Sequence, residues 1–291
     1  MTDILIKRLC IIGVGLIGGS FARALRRAGV VDEIVGSGRD AEHLAEAVRL
    51  GVIDRFDTDP AVAVQAADMV VLAVPMGAMQ SVLAQIKQHL SPDCMITDVG
   101  SVKGPLVTAA EAVFGRLPAN FVPGHPIAGT EKSGVAASFA ELFDGRRVIL
   151  TPTPQSDPKI VERIRTVWQA CGANVISMGV RHHDEVLAAT SHLPHMLAYA
   201  LVDTLARMDD SREIFTYAAG GFRDFTRIAS SDPRMWHDIC LANQDALLDV
   251  MQRFRDDLQL LIDAIANGDS EFIRQTFTRA KQARDAFADS I

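Results

Sequence analysis

The sequence is poor in cysteine and has no long apolar run, and each shortage excludes a class of protein. Its four cysteines lie far apart and form no CxxC pair, which argues against a disulfide framework and a thiolate zinc site. The most apolar run, MVVLAVPMGAM from Met69, is interrupted by Pro75 and Gly77, well before the roughly 20 residues that a membrane span needs. The N-terminal MTDILIKRLC has no small-residue cleavage site, so we expect no signal peptide and a cytoplasmic protein.

Positive charge is also scarce. The chain has 29 Lys and Arg against 36 Asp and Glu, for a formal net charge of -7, and its basic residues are scattered singly or in pairs. We therefore expect neither nucleic acid nor an anionic membrane as a partner. A small anionic substrate is compatible with this balance, since one or two placed arginines suffice to bind it.

With 291 residues, the chain is long enough for two domains.

Short β-rich runs alternate with helical stretches over residues 1–178. Because strands and helices alternate strictly, the pattern predicts an α/β fold, a Rossmann-type doubly wound and mostly parallel sheet. The strands read as continuous apolar runs, which indicates that helices cover both faces of the sheet. The predicted strands are 8–12, 33–37, 68–74, 94–99, 121–124, 146–151 and 174–178.

The rest of the chain, residues 179–291, has no convincing strand and predicts an all-helical domain for substrate binding and dimerisation. Long amphipathic stretches occupy 185–208, 239–268 and 271–287. These helices are too long and apolar to be covered within this domain alone, so a homodimer is expected. An ordinary compact bundle is the alternative.

A glycine-rich turn between the first strand and the first helix predicts a dinucleotide site. In GVGLIG the first glycine allows a tight turn, the second lets the backbone approach a pyrophosphate, and the third admits close helix packing. Backbone N–H groups and the helix dipole then face the phosphates. A similar turn in an unrelated α/β protein is the alternative. The predicted cofactor contacts are Gly13, Gly15, Leu16, Ile17 and Gly18.

The end of the second strand bears on the choice between NAD and NADP. NAD enzymes normally place an acidic residue there, whereas this chain has Ser37, and Arg39 could reach a 2'-phosphate. These residues favour NADP over NAD. Alternatively, Arg39 points to solvent and Asp40 caps the next helix. Val74 and Pro75, at the end of the predicted strand 68–74, are also assigned to the cofactor.

Polar side chains follow the next strands, where an open α/β sheet binds its ligands. Ser101 and Lys103 lie in DVGSVKG, while His125, Thr130 and Glu131 lie in GHPIAGTEKSG. We expect these residues to cluster on the nicotinamide side of the cleft. His125 is a candidate general base, because an imidazole suits proton removal from a hydroxyl that is being oxidised. A histidine that only fixes its loop by hydrogen bonding is the alternative.

The motifs DVGSVK, HPIAGTEKSG, SHLPH and GGFRDFTRIASSDPRMW follow GVGLIGGS in this order. Together they resemble the prephenate and arogenate (cyclohexadienyl) dehydrogenases of tyrosine biosynthesis over nearly the whole chain. The resemblance implies NAD(P)-dependent oxidative decarboxylation of prephenate to 4-hydroxyphenylpyruvate, or of arogenate to tyrosine. The sequence does not distinguish these substrates. No metal is implied, which agrees with the absence of a ligand cluster in the sequence.

The resemblance also implies residue roles. His125 would accept the hydroxyl proton and Ser101 would bind the same hydroxyl or position His125. Thr130 and Glu131 would lie at the substrate, where Glu131 could favour the ammonium group of arogenate. These roles would require one base and one cofactor.

Three further residues are matched to the family's substrate site. Arg227 is similar to its carboxylate-binding arginine, and a planar guanidinium suits a carboxylate. His195 resembles a substrate-binding histidine, although packing around a kink at Pro194 would also explain it. Trp236 resembles a tryptophan that approaches the site from the same or the partner subunit. An ordinary core tryptophan is equally compatible.

Two other functions share parts of this pattern. A β-hydroxyacid dehydrogenase or imine reductase has a similar plan, but generally uses a lysine or aspartate of the helical domain and lacks HPIAGTE. A non-catalytic dinucleotide sensor would bind the nucleotide without turnover.

Overall fold

The computed structural model describes residues 4–130 and 132–288. The chain forms two compact units, of which the first ends at Gln244 and the second begins at Asp245. Within the described ranges, no helix combines the length and apolarity that crossing a membrane requires.

The first sheet is parallel throughout and has five strands in the order β3-β2-β1-β4-β5 within the described residues. This confirms the predicted doubly wound α/β fold. The short edge strand β3 was not predicted, because its three residues, RFD, carry no apolar run. The strands are β1 Ile6–Ile12, β2 Val31–Ser37, β3 Arg55–Asp57, β4 Met69–Leu72 and β5 Met95–Asp98, and the helices between and after them are α1 Leu16–Ala28, α2 Ala41–Arg49, α3 Pro60–Ala63, α4 Met79–Ile86 and α5 Gly104–Phe114.

Helices cover both faces of this sheet, as the continuous apolar strands predict. Alternate residues of β1 enter different cores: Leu9 packs with Phe21 of α1, and Cys10 packs with Leu83 of α4. The strand order reverses between β1 and β4, which places a crevice at the carboxyl ends of these two strands.

A second, three-stranded sheet holds the remaining strands of the described chain. It consists of β6 Gly124–Pro126, β7 Arg147–Leu150 and β8 Asn174–Ser177, with α6 Pro158–Ala170 between the last two. β6 is antiparallel to β7, and β7 is parallel to β8. The sequence predicted a single sheet and a strand at 121–124. Instead, Phe121 contributes only an isolated bridge to Ile96, and the strand begins at Gly124. His125 is therefore a strand residue, not a loop residue.

Only helices follow Ser177 in the described residues, which confirms the predicted helical C-terminal region. The predicted domain boundary near residue 179 stays a prediction, since the two compact units divide later. The helical elements that follow Ser177 in the first unit are α7 Val180–Leu187, a π-helical turn Ala188–His192, α8 Leu193–Ala206, α9 Ser211–Thr216, α10 Gly220–Thr226, a 3-10 turn Arg227–Ser230 and α11 Pro233–Ala242. They are followed by α12 Gln244–Asn267 and α13 Ser270–Ala288.

Two predicted helices are interrupted. The stretch 185–208 contains the π-helical turn just before Pro194, a residue that has no backbone N–H to donate. The stretch 239–268 breaks at Asn243, whose φ and ψ of -109° and 35° are not helical. The buried Asn243 amide donates to the carbonyl of Asp184 at 2.9 Å and to Nδ1 of His192 at 3.1 Å. These contacts favour the break.

Candidate active site

The turn between β1 and α1 has the geometry of a phosphate-binding loop. Gly13 has a φ of +100°, and a Cβ added there would lie 2.3 Å from the carbonyl oxygen of Ala73. A Cβ on Gly18 would lie 2.3 Å from the carbonyl oxygen of Gly13. A Cβ on Gly15 would meet no atom within 4 Å, and no side chain caps the helix that begins after it. The free N–H groups of the first turn therefore fit an anionic pyrophosphate.

The end of β2 carries the residues that bear on cofactor choice. Ser37 is buried, and its hydroxyl has no hydrogen-bond partner among the described residues. Arg39 is exposed. Asp40 caps α2 by accepting hydrogen bonds from the N–H groups of Glu42 and His43 at 3.0 and 3.2 Å.

A cleft of about 450 Å³ extends from this turn across the ends of β4, β5 and β6 to the start of α11. It brings together residues that lie far apart in the sequence. Those predicted from the sequence are Gly15, Leu16, Ile17, Gly18, Val74, Pro75, Ser101, His125 and Thr130.

His125 lies in the wall of this cleft and is only 9% exposed. Its Nδ1 atom lies 2.9 Å from Nε2 of His183. Burial, and next the charge of the nearby Lys103, lower the pKa of His125 well below its usual range. The imidazole is therefore neutral near pH 7, as a proton acceptor must be.

Lys103 is fully buried behind His125 and does not line the cleft. Its ammonium group pairs with the buried carboxylate of Asp98 and donates to the carbonyl oxygen of Gly124 at 2.7 Å. Asp98 also accepts hydrogen bonds from the N–H groups of Gly100 and Gly124, at 2.7 and 3.0 Å. The pair thus ties the end of β5 to the strand that carries His125.

Two polar predicted residues line the cleft beside His125. Ser101 is half-buried just after β5, and Thr130 is exposed, with its hydroxyl accepting from the N–H of Lys132 at 3.2 Å. Glu131, which was predicted beside them, lies outside the described residues.

His195 and Trp236 contact each other, although they come from different helices and neither is among the described residues lining the cleft. Their rings stack with centroids 3.7 Å apart and planes at 23°. Nδ1 of His195 donates to the carbonyl of Ser191 at 2.8 Å, and burial lowers the pKa of His195. Trp236 is buried, and its indole N–H has no hydrogen-bond partner in the described chain.

Arg227 is exposed in the 3-10 turn after α10, and the described lining of the cleft does not include it. Among the described residues that line the cleft, the cations are Lys132 and Arg234. Reasoning from the sequence missed both, as well as Asp238 at the same wall. A signal was present for one of them, since Lys132 belongs to the GHPIAGTEKSG segment.

Within the described residues, no group of three or more His, Cys, Asp or Glu side chains is arranged to hold a metal ion.

Both parts of the chain match models of known families. Residues 21–177 match the family described as "Prephenate dehydrogenase, nucleotide-binding domain". Residues 180–279 match "Prephenate dehydrogenase, dimerization domain".

Similar proteins align over nearly the full chain. Cyclohexadienyl dehydrogenase of Zymomonas mobilis is 40% identical over 283 residues, which cover 96% of this chain and 95% of that protein. Prephenate dehydrogenase from Aquifex aeolicus, crystallised with hydroxyphenyl propionate and NAD+, has a TM-score of 0.90 at 40% identity, covering 97% of this chain and 98% of the other. Arogenate dehydrogenase of Synechocystis has a TM-score of 0.81 at 30% identity, covering 96% and 99%.

Proposed function

This chain belongs to the prephenate dehydrogenase family, and we propose from that premise the reaction, cofactor and residue roles that follow. It is an NAD(P)-dependent oxidoreductase that oxidises and decarboxylates prephenate to 4-hydroxyphenylpyruvate. The observation that carries this proposal is the position of His125 in one cleft with the glycine turn that fits a dinucleotide.

The chemistry requires the removal of one proton and one hydride. Prephenate carries a ring hydroxyl opposite a ring carboxylate, and oxidation of the hydroxyl lets the ring become aromatic with loss of carbon dioxide. When bound, the nicotinamide accepts the hydride from the carbinol carbon.

His125 accepts the hydroxyl proton in this proposal. It is neutral because burial lowers its pKa, and one of its nitrogens is already bonded to His183, which leaves Nε2 for the substrate. Ser101 lies in the same cleft, and in this proposal it donates a hydrogen bond to the hydroxyl oxygen or positions His125.

Cationic side chains hold the two substrate carboxylates. Arg227 is assigned to one carboxylate from its place in the family motif FTR. Lys132 and Arg234 line the cleft and supply positive charge there. Thr130, Glu131, His195 and Trp236 complete the proposed substrate site. An Arg227→Ala variant should raise KM for the substrate with little change in the binding of the dinucleotide.

The preference between prephenate and arogenate depends on how the side chain of the substrate is bound. Arogenate carries an ammonium group where prephenate has a keto group, so a carboxylate near that position favours arogenate. Glu131 is the proposed selector. Relatives of both names align with this chain, so the proposal of prephenate requires a direct comparison of the two substrates.

A preference for NADP is proposed from Ser37 and Arg39. No acidic side chain occupies the position of Ser37, and the exposed, positively charged Arg39 follows it closely enough in the sequence to pair with a 2'-phosphate. Replacing Arg39 by alanine should lower kcat/KM for NADP and leave that for NAD unchanged. A clear wild-type preference for NAD would contradict this assignment.

A homodimer through the helical region is proposed from its exposed apolar residues. Along α12, Leu248, Met251, Phe254 and Leu258 are each at least 36% exposed. Light scattering coupled to size-exclusion chromatography tests the assembly, with a monomer as the contradicting result. A cytoplasmic location is proposed from the four cysteines, all of which are free thiols.

Steady-state kinetics with both substrates and both cofactors test the proposed function. Reduced nicotinamide should appear with prephenate, and tyrosine or 4-hydroxyphenylpyruvate identifies the product. Tight dinucleotide binding without turnover of either substrate would instead indicate a sensor.

A further inference from the structure

A chain of hydrogen bonds extends from His125 away from the cleft to the buried residues His183 and Asp184. Nδ1 of His125 lies 2.9 Å from Nε2 of His183, and Nδ1 of His183 lies 2.8 Å from Oδ1 of Asp184. His183 is fully buried and lies on α7, 58 residues from His125 in the sequence.

Asp184 is held as a carboxylate at the far end of this chain. Its Oδ1 accepts from the N–H of Lys103 at 2.8 Å, and its Oδ2 accepts from the N–H of Gly104 at 2.7 Å. Burial acts to raise the pKa of Asp184, but the hydrogen bonds from His183 and these two N–H groups outweigh it, so the pKa is lowered. Because both oxygens accept from N–H groups, the ionised form is favoured, and an ionised carboxylate can only accept hydrogen bonds.

The carboxylate determines where each proton lies. His183 must donate from Nδ1 to Asp184, so in the neutral ring Nε2 of His183 carries a lone pair. The proton of the hydrogen bond to His125 then belongs to Nδ1 of His125. Nε2 of His125 is left as the acceptor.

We propose that His183, oriented by Asp184, is a positioning residue that holds the proton of His125 on Nδ1 and so keeps Nε2 available as the base. The inference rests on the proposed function, because it assigns the second and third members of the base's hydrogen-bond chain. The arrangement follows the logic by which a buried carboxylate fixes the tautomer of a catalytic histidine.

The same chain stabilises the charge that forms during the reaction. As the hydroxyl O–H bond breaks, its proton binds Nε2 of His125, while the hydride leaves the carbinol carbon for the nicotinamide. The resulting imidazolium keeps its Nδ1–H directed at His183, whose other nitrogen is bonded to the carboxylate of Asp184. The negative charge of Asp184 thereby stabilises the cation through one neutral ring.

The opposite proton arrangement would disable the base. If His183 carried a proton on both nitrogens, its Nε2–H would donate to Nδ1 of His125, and the remaining proton of His125 would move to Nε2. The charged and titratable groups around the two rings are Asp184 on α7, Lys103 before α5 with its partner Asp98 on β5, and His192 in the π-helical turn.

Nuclear magnetic resonance of isotope-labelled histidine in the wild-type protein tests the tautomers directly. We expect His125 and His183 both to carry their proton on Nδ1 at neutral pH, with signals assigned by their loss in His125→Asn and His183→Gln. A proton on Nε2 of His125 would overturn the proposal, and this readout does not depend on turnover.

Kinetics of two variants separate positioning from packing. His183→Gln keeps an acceptor for Nδ1 of His125, whereas His183→Phe removes it. We expect kcat to fall roughly 100-fold in His183→Phe and within about 10-fold in His183→Gln, with KM and dinucleotide affinity unchanged in both. The control variants His182→Gln and His182→Phe, at an exposed neighbour on the same helix, should retain wild-type kcat.

The pH profile adds a readout that a structural role would not move. In His183→Gln the acid limb of kcat/KM should shift to lower pH. The glutamine oxygen that accepts from Nδ1 of His125 is not polarised by Asp184, so it stabilises the protonated form of His125 less than His183 does. Equal kcat in the Gln and Phe variants, or an unshifted limb, would contradict the proposal. If wild type turns over neither prephenate nor arogenate, the proposed function fails, while the tautomer measurement still decides the proton arrangement.

Discussion

His195 stacks on Trp236 with ring centroids 3.7 Å apart. The two residues come from α8 and α11, so the stack joins helices that are separate in the sequence. Nδ1 of His195 is fixed by its hydrogen bond to the carbonyl of Ser191, which sets the plane of the ring.

We predict that this stack contributes to stability beyond the burial of the two rings. In a double-mutant cycle of His195→Ala and Trp236→Leu, the coupling in the free energy of unfolding should be about 1 kcal/mol. Urea denaturation of the four proteins measures it. Strictly additive effects would show that the two rings only fill space.

The buried Lys103–Asp98 pair should be sensitive to the loss of one partner. Lys103→Met leaves the carboxylate of Asp98 buried with only backbone N–H donors, so we expect a loss of about 3–5 kcal/mol in unfolding free energy. Urea denaturation provides the measurement. Lys159→Met, at an exposed lysine of α6, is the control and should change stability by less than about 0.5 kcal/mol. A variant at Lys103 as stable as this control would contradict the assigned role.

Substitutions at two glycines should separate folding from cofactor binding. Gly15→Ala meets no protein atom and has an ordinary φ of -93°, so its melting temperature should match wild type, while its added methyl group obstructs the pyrophosphate. We expect its dinucleotide dissociation constant to rise roughly 10-fold or more. Gly13→Ala should be destabilised itself, because its φ is +100° and its Cβ would clash with Ala73. Calorimetric titration and thermal melts check both, and unchanged affinity in Gly15→Ala would place the pyrophosphate elsewhere.

Buried His192 should make stability depend on pH. Burial, partly opposed by the charge of Asp184, lowers the pKa of His192 to about 4, while the unfolded value is 6.5. The unfolded state therefore binds more protons between these values, and stability present above pH 6.5 is lost as pH falls toward 4. The expected loss from pH 7 to pH 5 is roughly 2 kcal/mol from this residue. Urea denaturation at both pH values should show a smaller loss in His192→Gln, and an equal loss would assign the effect to other groups.

Local features of the fold were predictable from the sequence, whereas long-range pairings were not. The glycine turn and the Asp40 cap depend on residues within one or two helical turns, so their spacing alone predicts them. The separate sheet of β6, β7 and β8 depends on antiparallel pairing between strands far apart in the chain. Its first strand is only three residues long, and no periodicity marks it.

The candidate site shows the same division. The ends of β4 and β5 share one edge of the parallel sheet, which is why residues there were predicted to lie together, whereas β6 belongs to a second sheet that the sequence did not predict. His183 gave no signal, since RHHDEV reads as an exposed helix start and the contact to His125 spans 58 residues. Arg227 was assigned to the substrate from its motif, and a linear pattern could not show that it is not among the described residues lining the cleft.

His125 is the proposed general base. In His125→Asn the amide occupies the place of Nδ1 and can still donate to His183, while the acceptor Nε2 is lost, so folding and cofactor binding should be retained. The pKa of His125 is lowered in the wild type, so its acid limb of kcat/KM should lie below pH 6.5.

The most direct test is the turnover number of His125→Asn with prephenate and saturating dinucleotide, alongside a calorimetric check that the dinucleotide still binds. We expect kcat to fall roughly 100-fold or more, with dinucleotide affinity near that of wild type. A kcat close to the wild-type value would show that another group accepts the proton.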